Sequence, residues 1–549
     1  MPSAPRSFRR RSDDGRSYFT SPAVGTPVTG ADSIGERGAP TAREAPSAAV
    51  MRKACADRRR PVAPRRNRRR PTARRRIRRR RAGPPPTDRD SKEWMAMPAL
   101  RVLVIWPPQV LSYFNAGHHH LIYSVADYLR RQPEVDQVDT IDASVESRTW
   151  KEIGDRLHQG GYDVVAVTND LDGVDGLTRF LAYTRQLAPQ ARVVTFGRLS
   201  GMLPRLFARF DLDAIVASGD YEPGVAAFVR AVGEGPLTAG ALPGLWLRTD
   251  GGWREPTAPG GVLLAHDWVM PDVTEIPYHA YDWLYRDDQN KFHGIPGRRE
   301  LVVPVARGCP IGCAYCEVPA VFGKPERRAS VEQTVRYIEE SFAGLPFEYV
   351  SFYAPTFTLN RAWTTRLCDQ LVRRGARYPW MCATTVHHLD AELVALMGRS
   401  GCVRISVGVE TLAASGHAAL PWPKRKGEDA VGALAAWCER AGIELNCCVI
   451  VGLPGTTVAD AEAAVARVRA LGGRVRPTIY SPHERLDPMA SVDALALHNR
   501  QILPDGAFPE PVERRRAYDI VFGREKHPSR VGERVGKWRA GPASPESRP

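Results

Sequence analysis

An alternation, met twice along the chain, restricts the fold more than any other feature. Short β-rich apolar runs take turns with helical segments of about 10–15 residues. In the first round Arg101–Trp106, Asp163–Thr168, Arg192–Phe196 and Asp213–Ala217 read as strands. Between and after them His120–Arg131, Gly176–Leu187 and Glu222–Val232 carry helical periodicity. The pattern predicts βαβ units and a parallel, doubly wound sheet, which binds ligands at the carboxyl ends of its strands. The second round has strands at Leu301–Ala306, Tyr349–Tyr353, Met381–Thr385, Arg404–Val409, Glu444–Val451 and Arg476–Tyr480. Its helices fall at Ser330–Phe342, Arg361–Arg374, Asp390–Arg399, Gly427–Ala441 and Val458–Leu471. Six such units predict a barrel or partial barrel, with its active site just beyond the strand ends.

The expected fold class is therefore α/β, a Rossmann-like domain followed by a partial (β/α)6 barrel of TIM type. The first domain spans residues 99–235 and the barrel 299–486. Residues 236–298 are a Gly/Pro-rich connector with short strands at Gly244–Arg248 and Gly261–Leu264, and 487–549 form a short basic C-terminal extension.

Charge separates residues 1–98 from everything after them. The net charge is +16, but the first 94 residues hold 26 of the 77 Lys and Arg against 9 of the 61 Asp and Glu. The remainder is close to neutral. This Arg-, Pro- and Ser-rich segment holds few large apolar residues and reads as disordered. Three meanings are open: a nucleic-acid-binding arm, a solvated tail, or sequence upstream of a later start at Met95 or Met97. Composition favours the later start, and nucleic acid is not the expected partner. No apolar run reaches the roughly 18–20 residues that span a bilayer, and no secretory segment follows Met1. The expectation is a soluble, cytoplasmic protein without a membrane partner.

Three of the ten cysteines crowd into one loop, Cys309, Cys313 and Cys316, directly after the first barrel strand. Thiolates hold iron–sulfur clusters, and three ligands leave the fourth iron of a cubane open. A zinc site would want a fourth close ligand, which is not visible; three unrelated thiols would not explain the position.

CxxxCxxC after a strand that opens a six-unit βα barrel resembles the radical S-adenosylmethionine (SAM) superfamily over residues 300–485. The resemblance implies a [4Fe–4S] cluster whose open iron chelates SAM, reductive cleavage to a 5′-deoxyadenosyl radical, and hydrogen abstraction from a substrate. By the same resemblance Tyr315 packs near adenine, Glu410 in Ser406-Val-Gly-Val-Glu410 reaches the ribose hydroxyls, and Val451, Gly452 and Pro454 lie against adenine. Two plainer readings stay open: an ion pair between Glu410 and Arg404, and an ordinary strand–turn–helix link at 449–456. After the second strand, Phe352-Tyr-Ala-Pro-Thr-Phe357 lacks the acidic residue the family often carries there. Tyr353 and Thr356 offer hydroxyls instead.

An α/β domain ahead of such a barrel is similar to the cobalamin-binding domain of cobalamin-dependent radical SAM enzymes. Val102–Pro108, His118–Arg130, Ser218–Glu222 and the lead-in Pro277–Leu284 carry the likeness. The cobalt-ligating DxHxxG motif is absent. His118–His120 reads better as a helix start than as a cobalt site, and a domain that binds nothing is the alternative. The expected cobalamin contacts are Pro107, Thr168, Asn169, Gly197, Gly219 and Asp220.

Together these likenesses imply methyl transfer to an unactivated carbon of a small-molecule or carrier-bound natural-product intermediate, in an antibiotic or similar pathway. An external flavodoxin or ferredoxin would supply electrons. Thr384, His387, Tyr480 and His483 follow barrel strands and are the candidate substrate contacts. Cyclisation, rearrangement or epimerisation without methyl transfer is the alternative. A tRNA methylthiotransferase would need a second cysteine triad, and residues 99–235 contain no cysteine.

Overall fold

A computed structural model describes residues 99–108, 120–170, 174–235, 237, 240–285, 295, 298–481 and 508–523. Residues 1–98, and with them the Arg-rich segment, lie outside this set, as does His483.

The first domain runs β1 (Leu100–Trp106), α1 (His120–Leu129), β2 (Val135–Asp142), α2 (Trp150–Gly160), β3 (Val164–Asn169), α3 (Val174–Leu187), β4 (Arg192–Gly197), short α4 (Arg198–Met202) and α5 (Pro204–Phe207), β5 (Ala214–Val216) and α6 (Tyr221–Glu234). Strands β2-β1-β3-β4-β5 are parallel and lie in that order. The doubly wound expectation holds. Val102 and Val104 of β1 pack toward α1 and α6, while Leu103 and Ile105 pack toward α2 and α3. A strand buried on both faces has to be apolar at every position, which is why β1 stands out in the sequence.

Besides the short helices α4 and α5, two longer elements were not anticipated. β2 is the polar edge strand, VDQVDTID, with most positions half-buried or exposed. Helix α2 opens on a capping box, Thr149 with Glu152, and closes at Gly161 with φ 58°. That Thr-x-x-Glu spacing is the signal by which it was findable.

The first sheet also continues past the expected boundary at 235. β6 (Leu245–Thr249) and β7 (Gly252–Arg254) join its far edge antiparallel, so the sheet ends at Arg254. The strand expected at Gly261–Leu264 does not form. Its backbone is committed elsewhere: the Gly261 carbonyl accepts from Asp220 N at 2.8 Å, and Leu263 N donates to the Asp220 carboxylate at 2.7 Å.

After α7 (Tyr278–Tyr285) the barrel begins at β8 (Glu300–Pro304). A two-residue antiparallel clasp, β9 (Ala306–Arg307) against β10 (Arg327–Arg328), brackets short α8 (Val318–Phe322). Then follow α9 (Val331–Gly344), β11 (Tyr349–Tyr353), α10 (Arg361–Arg373), β12 (Trp380–Thr385), α11 (Ala391–Arg399), β13 (Cys402–Glu410), α12 (Glu428–Arg440), β14 (Glu444–Val451), α13 (Val458–Ala470) and β15 (Arg474–Ile479). The six strands β8-β11-β12-β13-β14-β15 form one parallel sheet in chain order, an open partial barrel as expected. Phe352, Cys382, Ile405, Val407 and Cys447 face the helices and are buried. The opposite face carries Ala383, Ser406, Gly408 and Cys448, all small and half-buried, so the lumen is open above its floor.

The C-terminal extension contains a helix the sequence did not suggest, α14 (Pro511–Phe522). With Phe508 it packs on Val451, Val458 and Ala461. No helix among the described residues is long and apolar enough to cross a membrane.

Candidate active site

The cysteine loop leaves the sheet after β8 and is held at both ends. Gly308, at φ 79°, brings its backbone so near Pro325 that a Cβ would stand 2.1 Å from the Pro325 carbonyl oxygen. Cys309 N donates to the Gly323 carbonyl at 3.2 Å, and Cys316 N to the Cys313 carbonyl at 3.1 Å. Cys309 and Cys313 are buried and Cys316 half-buried. Burial pushes the Cys313 thiol up, with Lys424 pulling the other way. Burial, with Glu317 beside it, pushes Cys316 up to about 12. The three thiols sit within eight residues of one loop, and a cubane takes each thiolate on a different iron. The donor set therefore fits an iron–sulfur cluster. Thr356 Oγ1 lies 3.8 Å from Cys309 Sγ, and Val318 N donates toward Cys316. Such contacts stabilise thiolates.

Next to this loop stand Tyr315, Glu410 and a residue not anticipated, Lys424. Glu410 closes β13 at φ 63°, a left-handed conformation that costs a non-glycine residue energy and marks functional sites. The β13–β14 register shifts between Gly408 and Glu410, which turns the carboxylate into the lumen. Lys424 Nζ meets it at 2.5 Å and donates to the Tyr315 hydroxyl at 3.2 Å. The Arg404 alternative is overturned. Arg404 lies on the barrel floor and pairs with Glu444 at 2.8 Å. Burial would lower the Lys424 ammonium, but Glu410 and Cys313 more than offset that and hold it above its ordinary range. Burial and Glu410 drive the Tyr315 hydroxyl up. Cys448 faces the same space; burial and Glu410 push it up to about 11 against Arg476 and Lys424.

Beside this polar group lies an apolar one: Leu420, Ile450 and Leu453, with Tyr315 and Tyr480 against them. The Tyr315 and Tyr480 rings are 6.2 Å apart, edge to face. Tyr480, expected as a substrate contact, thus stands beside Tyr315, the residue expected near adenine. Val451 packs under the C-terminal helix. A Cβ on Gly452 would meet the Phe508 ring at 2.9 Å, so that face of Gly452 is covered by a side chain instead of open to a ligand. Pro454 is exposed.

The remaining candidates divide. Thr356 is buried against Cys309, as above. Thr384, expected as a substrate contact, is buried on the helix-facing side and bonds Thr358 Oγ1 at 2.5 Å, which fixes the loop after β11. His387 sits at the rim, its ring 4.6 Å from that of Trp422; burial and Lys426 hold its pKa down. Tyr353 is 47% exposed and lies edge-on to His120 at 5.1 Å.

In the first domain most expected ligand contacts are engaged by the fold. Asp220 stands at the N-cap position of α6 without a side-chain capping bond and pairs with Arg327 at 2.7 Å and Arg307 at 3.4 Å. Gly219 lies under Gly260 and Gly261, where a Cβ would come within 2.6 Å of backbone. Asn169 spends its amide on Thr195 Oγ1 and Ser200 N, both at 2.8 Å. Gly197, at φ 149°, lets β4 pass against Asn169. The Pro107 carbonyl accepts from Ser144 Oγ at 3.2 Å. Asn169, Gly197, Gly219 and Asp220, expected as cobalamin contacts, thus also hold the fold together. Thr168 differs: its hydroxyl is buried and has no hydrogen-bond partner among the described residues.

The two domains meet at this edge. Arg198, at the carboxyl end of β4, pairs with Asp170 beyond β3 and with Glu317 at 3.0 Å, one residue past Cys316. The carboxyl ends of the first sheet thus face the cysteine loop.

Residues 303–468 match the model of the Radical SAM superfamily. This part of the chain is a radical SAM domain. Its relatives include the anaerobic magnesium-protoporphyrin IX monomethyl ester cyclase of Rubrivivax gelatinosus, 23% identical over 56% of this chain and 52% of that protein. Bacteriochlorophyllide d C-12(1)-methyltransferase of Chlorobaculum tepidum is 27% identical over 22% of this chain and 27% of that one. The chain spans about half the length of the first relative and about a quarter of the second. Among solved structures, the radical SAM methyltransferase TsrM of Kitasatospora setae, with tryptophan and a SAM analogue bound, shares the fold at a TM-score of 0.58. It is 19% identical, over 70% of this chain and 73% of that one.

Proposed function

We propose that this chain is a cobalamin-dependent radical SAM enzyme that transfers a methyl group to a natural-product intermediate. The observation that carries the reading is the Arg198–Glu317 contact, which draws the ligand-binding edge of the first sheet against the cysteine loop. The strand order β2-β1-β3-β4-β5 supports it, because its reversal between β1 and β3 makes a crevice at their carboxyl ends. Thr168, near the end of β3, is buried with a hydroxyl that has no hydrogen-bond partner among the described residues. TsrM has been solved with cobalamin and a [4Fe–4S] cluster bound, and it shares both domains' fold.

When bound, the cluster delivers the electron that cleaves SAM and cobalamin carries the methyl group. Cys309, Cys313 and Cys316 would hold the cluster. Glu410 would accept from the ribose hydroxyls, and Tyr315, Ile450 and Leu453 would flank the adenine in the apolar group beside it. The small residues Ala383, Ser406, Gly408 and Cys448 leave the lumen free for substrate. An external low-potential protein such as a flavodoxin or ferredoxin is the proposed donor. The cyclase relative favours a second reading, ring formation without methyl transfer.

Anaerobic purification with reconstitution tests both. We expect four irons and one corrinoid per chain, and loss of iron, with the fold retained, on Cys→Ala substitution at 309, 313 or 316. Product mass with methyl-deuterated SAM separates methyl transfer from cyclisation. A chain that takes up no corrinoid after supplementation would remove the methyltransferase reading.

A further inference from the structure

We propose that Lys424 is a positioning residue of the SAM site: it aims the Glu410 carboxylate and places a cation beside the cluster thiolates. The inference rests on the reading of that site given above. It deepens that reading by assigning a role to a residue outside every motif of the barrel strands.

Four observations carry it. Lys424 Nζ stands 2.5 Å from Glu410 Oε1 and 3.2 Å from the Tyr315 hydroxyl. Its ammonium lies 5.6 Å from the Tyr315 ring centroid. The side chain is only 14% exposed, so this is a buried pair and not a surface contact. The fold also makes room for it at Gly408, where a Cβ would fall 2.2 Å from Glu410 Oε1 and 2.7 Å from Lys424 Nζ. A glycine there, a carboxylate at φ 63° two residues later, and a lysine returned by the turn Trp422–Lys424 form one arrangement. A flexible Glu at a strand end would otherwise choose among rotamers. Bonded to Lys424 through one oxygen, it keeps lone pairs directed into the lumen.

The charge balance points the same way. Three thiolates, a cubane and Glu410 gather negative charge in a low-dielectric space. Lys424 Nζ bonds the hydroxyl of Tyr315, which lies between Cys313 and Cys316 in the chain, so the ammonium stands beside the cysteine loop. A buried cation there favours the reduced, more negative state of a cluster. Removing it would make reduction harder.

The test uses the full chain, reconstituted anaerobically, as wild type, Lys424→Met, Lys424→Arg and Gly408→Ala. Iron and sulfide per chain, SAM affinity by calorimetry, and the midpoint potential by spectroscopically followed titration are measured. Lys424→Met should keep its iron and sulfide, bind SAM more than about tenfold more weakly, and shift the potential to more negative values. Lys424→Arg should recover most of both. Gly408→Ala, which keeps the lysine but crowds the pair, should weaken SAM binding at unchanged cluster content. SAM binding within twofold of wild type at an unchanged potential in Lys424→Met would overturn the assignment. So would loss of the cluster itself, since the lysine would then serve assembly. A wild-type chain that loads no cluster or binds no SAM would overturn the underlying site reading as well.

Discussion

Arg307 precedes Cys309 by two residues and is almost wholly buried. It makes a two-pronged contact with Glu222 of the first domain, at 2.6 and 2.8 Å, with Asp220 at 3.4 Å. Both carboxylates are fully buried. Removing one partner of such a group strands charge away from water, which is costlier than the intact group is stabilising. Arg307→Met should therefore lose about 3–5 kcal/mol, read as a fall in the denaturant midpoint. At this scale the cysteines were legible because their chemistry and spacing lie in eight consecutive residues. Glu410 and Tyr315 followed from the same local motifs. Arg307 and Lys424 were not legible as site residues, because what defines each is a partner 85 or 14 positions away.

Among the elements, the buried strands and amphipathic helices were read well, since burial forces a periodic pattern on them. The edge strand β2 was not. Only its hydrogen bonds to β1 make it a strand, and its side chains answer to polar neighbours. Asp139 illustrates this: it accepts from the Tyr162 hydroxyl at 2.6 Å and pairs with Arg156 at 3.2 Å. Burial pushes its carboxyl up, but Tyr162, Gln137 and Arg156 more than offset that and hold it below the ordinary value. A lowered folded-state pKa contributes stability that is full above the unfolded value of about 3.9 and is lost as pH falls through the folded value beneath it. Asp139→Asn should thus be less stable than wild type by about 1 kcal/mol at pH 7. The gap should close as pH falls through the lowered folded value; urea unfolding at a series of pH values measures it. The loop 261–264 was misread for a related reason. Its apolar residues suggested a strand, yet its backbone groups serve Asp220.

At the scale of the whole molecule, one apolar core runs from the first sheet through Trp268, Met270 and Tyr281 into the helix-facing side of the barrel. Tyr281 also donates to Asp142, at the end of β2, at 2.5 Å. The segment read as a connector is therefore the joint that fixes the two domains. None of these contacts calls on residues 1–98. A chain beginning at Met95 should load the same iron and melt within about 2 °C of the full chain, a shift corresponding to less than about 1 kcal/mol. Scanning calorimetry and iron analysis on both chains measure this.

The sequence by itself determined the two α/β domains, the chain order of their buried strands, and the three thiols crowded into one loop. Those depend on local periodicity and on ligands close together in the chain. Tertiary structure alone decided the rest. It turned Asp220 and Gly219 into the joint between domains, paired Glu410 with Lys424 instead of Arg404, and set Phe508 over Gly452. Burial makes every charge and every polar group depend on what surrounds it in space, and no spacing along the chain encodes those surroundings.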